Sequence, residues 1–116
     1  MKMLHVTVQT ARFEEELRFY EEIVELKIQR DMRGMGRNMA FLANGEGETC
    51  VEIIEVPESE DAGNEFLSIG FKTDDVDAKR DALSAAGLKP SPMITPAPGV
   101  KFFFVKDPAG VKVQFI

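Results

Sequence analysis

The chain has 116 residues, 44% of them hydrophobic, which is enough for one domain with a real core; 20 acidic against 14 basic residues leave a net charge of −6. That balance speaks against nucleic acid or an anionic membrane surface as the main partner and leaves a neutral or cationic small molecule. The single cysteine, Cys50, excludes an internal disulfide, no apolar run is long enough to span a bilayer, and no secretory leader opens the chain, so the expected location is the cytoplasm.

Residues 3–9 alternate apolar and polar and are rich in β-branched types, which predicts a strand. Thr10 is the expected N-cap of a helix over 12–25, in which Phe13, Leu17, Tyr20 and Val24 recur at helical spacing and Glu14, Glu15 and Glu16 suit the positive end. Strands are expected at 26–34 and 37–43, and the turn at 44–48 leads into a fourth strand at 49–56. A polar linker with Pro and Gly follows at 57–64. The second half repeats the order: a strand at 65–73, a helix at 74–87 stopped by Gly87, an extended segment at 88–94 broken by Pro90 and Pro92, and strands at 100–106 and 111–116 around the turn Asp107-Pro108-Ala109-Gly110.

Each half thus reads strand, helix, three strands. Leu4 aligns with Leu67, Leu26 with Leu88 and Val51 with Val113, at a nearly constant offset of 62 or 63 residues. A shared offset over separate landmarks points to an internal duplication, with modules at 1–56 and 65–116 in a single domain. Side chains alternate across a strand, so His5, Thr7 and Gln9 share one face of the first strand, and Glu52 falls on the mixed face of the fourth. Ser68 and Gln114 take the matching places in the second half. Each alone is satisfied by facing water on a half-wet sheet. Four symmetry-matched polar positions are harder to explain that way, and they converge if a pseudo-two-fold axis relates the halves.

The repeat, the histidine in the first strand, "FYEEIVELK" in the first helix, "VEIIE" in the fourth strand and "DPAGVKVQF" at the end resemble the vicinal oxygen chelate superfamily. That group includes glyoxalase I, epimerases, extradiol dioxygenases, fosfomycin-resistance enzymes and bleomycin-resistance proteins. The resemblance covers essentially the whole chain. It implies an α+β fold of two βαβββ modules forming a curved mixed sheet, and a homodimer. It also implies a divalent ion (Zn, Ni, Co, Mn or Mg) held at the positions of His5, Glu52, Ser68 and Gln114. The first two match the family's residue types. Ser68 stands where His is usual and Gln114 where Glu is usual, so the implied ligands reduce to His5, Glu52 and Gln114, and Glu52 doubles as catalytic base.

Gln9 and Val56 replace an Arg and an Asn that hold glutathione in glyoxalase I, so the expected substrate is a small carbonyl compound without a glutathione tail. One histidine is too few for an extradiol iron site. Thr7, Gln9, Ser68, Arg37 and Phe103 are candidate substrate contacts. Arg37 sits with Arg30 and Arg33 around "GMG" at 34–36, either a flap gripping an anion or solvated loop charge, and Phe103 either lines the pocket or fills core. The alternative to a lyase or isomerase is a metal-free protein that sequesters a cationic drug, as bleomycin-resistance members do.

Overall fold

The computed structural model describes residues 1–61, 63 and 66–116. Parts of the linker expected at 57–64 and the first residue of the strand expected at 65–73 lie outside the described residues. The chain forms two compact units, Met1–Ala62 and Gly63–Ile116. No described helix is long and apolar enough to cross a membrane.

In the first unit, strand β1 (His5–Thr10) leads to helix α1 (Phe13–Glu22), then to β2 (Lys27–Asp31), β3 (Met39–Ala43) and β4 (Cys50–Glu55). The sheet order is β1-β4-β3-β2, with β1 parallel to β4 and the other pairs antiparallel. A parallel neighbour needs a crossover, which α1, β2 and β3 supply. Phe13, Leu17 and Tyr20 recur on one side of α1 and are buried, and they pack on β3 and β4, whose Ala40, Leu42, Val51 and Ile53 are buried too. Each buried Val, Leu, Ile or Phe among them contributes about 1.5–3 kcal/mol.

Thr10 does not cap α1. It ends β1, and its hydroxyl accepts from the Arg12 N–H at 3.0 Å, while Arg12 takes the N-cap place without a side-chain bond. The strand ends one residue later than its alternation suggested because β4 continues beside it, pairing Thr10 with Glu55. On the apolar face of β1 only Val8 is deeply buried, and Leu4 and Val6 remain exposed.

The second unit repeats the plan: β5 (Ser68–Phe71), α2 (Val76–Ala85), β6 (Ile94–Ala97), β7 (Val100–Lys106) and β8 (Lys112–Phe115), in the order β5-β8-β7-β6. Asp75 caps α2 by accepting from the Ala78 N–H at 2.9 Å. The helix stops as expected at Gly87, whose φ of 86° is left-handed and whose N–H bonds to Ser84 O while Leu88 N–H bonds to Leu83 O. The segment 88–94 is broken by its two prolines, as expected. Pro90 and Pro92 have no N–H to give a ladder, so only Ser91 bonds to Phe104, and β6 begins at Ile94.

Phe103 is core. Alternation turns it to the face of Val105, Val113 and Phe115, where it is fully buried and stacks on Phe115 at 5.5 Å. Phe102 and Phe104 take the opposite face. Of the two readings of Phe103, lining the pocket or filling core, its burial matches the core.

Candidate functional site

The register of the first unit explains how a lone histidine meets a carboxylate. Parallel pairing sets His5 opposite Cys50 and Thr7 opposite Glu52. Antiparallel pairing on the other side of β4 sets Phe41 opposite Glu52. His5, Thr7, Glu52 and Phe41 therefore share one face, the one α1 does not cover. The Thr7 hydroxyl donates to Glu52 Oε2, and His5 Nε2 stands 3.5 Å from that same oxygen. The His5 ring meets Phe41 edge to face at 5.9 Å. Among the described residues nothing donates to Glu52 Oε1. The Glu52 side chain is only 10% exposed against 41% for His5, so the carboxylate sits in the sheet floor and the imidazole at its opening.

This pair suits an ion as far as it goes. Ligands about 2.0–2.1 Å from a tetrahedral centre lie about 3.4 Å apart, close to the 3.5 Å between His5 Nε2 and Glu52 Oε2. Imidazole and carboxylate are both good donors for the borderline ions named above. Among the described residues no group of three or more His, Cys, Asp or Glu side chains gathers, so His5 and Glu52 alone supply two positions.

The other candidates fall elsewhere. Gln9 is exposed on the same face of β1, and its carbonyl accepts from the Ser59 hydroxyl at 3.4 Å. Arg37 lies on the exposed loop between β2 and β3. In that loop Arg33 is committed to Asp31, bonding it through Nε at 3.0 Å and reaching Glu14 at 3.7 Å. These bonds hold the Asp31 carboxyl down to about 2 and push the Arg33 guanidinium up.

In the second unit Ser68 pairs with Lys112 and Gly70 with Gln114, so Ser68 and Gln114 share a face of that sheet. Gly70 occupies the place that Thr7 holds in the first unit. A Cβ there would come within 3.0 Å of Gln114 Oε1, so glycine leaves the amide room to lie across β5.

Two residues of the first unit escaped the sequence reading. Phe41 was assigned only to a strand, because nothing local tells which face it takes. Arg30 fell within the strand expected at 26–34 and was grouped with Arg33 and Arg37 around residues 34–36, without a face. A bulge between Ile28 and Arg30 shifts β2 by one residue, so Arg30 stands opposite Phe41 and joins the face of Glu52.

The comparisons agree with this architecture. Lactoylglutathione lyase from Haemophilus influenzae is 26% identical over 125 residues, spanning 100% of this chain and 92% of the relative. The trypanothione-dependent glyoxalase I of Leishmania major superposes with a TM-score of 0.83 at 19% identity, covering 100% of this chain and 86% of that one. TnmS3, an antibiotic binding protein from a Streptomyces species, does so at 0.73 and 21%, covering 99% and 93%. At these identities the solved structures speak for the fold. The family model covers residues 2–115, and the chain belongs to the Glyoxalase/Bleomycin resistance protein/Dioxygenase superfamily.

Proposed function

We propose that the chain is a divalent-metal-dependent lyase or isomerase that moves a proton next to a carbonyl in a small substrate without a glutathione tail. The observation that carries this reading is the His5–Glu52 pair. One carboxylate oxygen is fixed by Thr7 and faces the imidazole, and nothing among the described residues donates to the other. His5 Nε2 and Glu52 Oε2 would hold the ion, which would polarise the substrate carbonyl and ease the negative charge developing on its oxygen. Glu52 Oε1 takes the proton from the carbon beside the carbonyl and returns it to the neighbouring carbon. Thr7 keeps the carboxylate from rotating, and Phe41 holds the imidazole plane. Arg30, two strands from Glu52 and so about 10 Å away along the sheet, suits a substrate that also bears a carboxylate. Gln114 as a third ligand rests on the family resemblance alone, and a Gln114→Ala variant tests it separately.

Lyase names among the relatives support the reaction type. Those names include glutathione, and on that point Gln9 and Val56 argue the other way. Exposed Met3 and Leu4 beside the outer strand β1, with Phe66 and Leu67 before β5, support a homodimer.

The test is proton exchange. The protein, loaded in turn with each candidate ion, is incubated with a panel of small 2-oxo compounds in heavy water. NMR should report deuterium entering beside the carbonyl, and Glu52→Gln should slow this by at least about 100-fold. Exchange that persists in the variant removes Glu52 from the chemistry, and rapid turnover of a glutathione hemithioacetal removes the substrate assignment.

A second reading is favoured by the absence of a third ligating His, Cys, Asp or Glu among the described residues. In it the same face binds a basic aromatic compound, with Glu52 as counter-charge and no ion. Tight binding of such a compound by ion-free protein, without exchange, would select it.

A further inference from the structure

Residues 63–116 hold six acidic and seven basic residues, so the chain's whole excess of negative charge lies in residues 1–62. Within the second unit a cavity of about 590 Å³ opens beside the end of α2 and the β7–β8 hairpin, lined by Leu88, Lys89, Ser91, Phe104, Lys106 and Lys112 among others. Among the described residues no acidic side chain lines it, and it shares no residue with the His5–Glu52 pair. Lys106 and Lys112 are register partners across β7 and β8. Like charges directly opposite in an antiparallel pair destabilise it. Lys112 Nζ stands 5.3 Å from the centre of the Phe104 ring. Lys89 and Lys106 have no carboxylate within ion-pair distance among the described residues.

Complementing the negative end of α2 does not account for this set. The carbonyls there are already bonded by Gly87 and Leu88, and two of the three lysines come from strands. Around the ammonium groups the surface is apolar: Leu88, the Phe104 ring and the lysine stems. The volume falls in the range of small-ligand sites.

We propose that this cavity binds a small organic carboxylate with a flat apolar body. The carboxylate sits between Lys106 and Lys112 with Lys89 at the rim, and the body lies on Phe104 and Leu88. The proposal is independent of the function assigned to the first unit.

The test is calorimetric titration of the full chain at low salt with 2-naphthoate, with its neutral counterpart 2-naphthamide, and with inorganic phosphate. Naphthoate should bind, with the amide weaker by about tenfold or more, since charge-assisted hydrogen bonds are about twice as strong as neutral ones. Phosphate should not displace it at equal concentration. Lys106→Gln with Lys112→Gln should weaken naphthoate about tenfold or more. Lys101→Gln, which removes a lysine paired instead with Asp77, should bind like the parent. No naphthoate binding, equal binding of the amide, displacement by phosphate at equal concentration, or undiminished binding by the double variant would each overturn the proposal. The carboxylate–amide comparison needs no variant, so it stands even if the double substitution disturbs folding.

Discussion

Thr7→Val keeps the shape of the side chain and deletes the hydroxyl that donates to Glu52 Oε2. A hydrogen bond to a charged group contributes about 1.5–3 kcal/mol when sheltered. Thr7 is exposed, so water replaces part of the bond, and the expected loss of stability is nearer 1 kcal/mol. For a chain of this size that lowers Tm by about 4 °C. The effect on an ion should be larger. Thr7 orients the oxygen that faces His5, and loss of such an orienting partner typically weakens metal affinity about 10–100-fold. Urea unfolding measures the first effect, and competition with a chromophoric chelator for zinc measures the second. Thr7→Ser should restore both. If Thr7→Val binds zinc like the parent while His5→Ala loses it, the orienting role is wrong. If Thr7→Val unfolds at the same urea concentration as the parent, the energetic part is wrong.

Phe103→Ala should cost about 3–5 kcal/mol in chemical denaturation, since a fully buried ring leaves a cavity against Phe115, whereas Phe102→Ala on the opposite face should cost less than half of that. Gly87→Ala meets nothing within 4 Å, so only its left-handed φ of 86° matters; about 1–2 kcal/mol of strain less about 0.4–1 from a stiffer unfolded chain leaves a loss near 1 kcal/mol, with Gly45→Ala as an unstrained control. Asp31, held down to about 2 by its hydrogen bonds from Arg33, contributes stability that is fully present above its unfolded value and lost as pH falls through about 2. An NMR titration should place its midpoint near 2 in the parent and return it toward its ordinary value in Arg33→Gln.

Much of the fold was written in periodicity and offset. Alternation put His5 and Thr7 on one face, and the duplicated landmarks foretold two modules of the same strand and helix order. Period alone does not carry register. The bulge that turns Arg30 onto the Glu52 face leaves no local mark, because one extra residue in β2 looks like any other residue of an exposed strand. The same limit explains Phe41, whose partner across the sheet is decided by β4. Phe103 was ambiguous because three consecutive phenylalanines must divide between two faces, and only the packing of α2 says which face is dry. Thr10 looked like a cap because it precedes acidic residues, but β4 is long enough to keep it in the sheet.

The most direct measurement of the His5–Glu52 account is the divalent-ion content of untagged protein after exhaustive dialysis, parent against Glu52→Gln, by elemental mass spectrometry. The account predicts about one ion per chain in the parent, held by His5, Glu52 and the Gln114 that the family resemblance adds, and its loss in the variant. An ion held equally by both, or by neither, would contradict it.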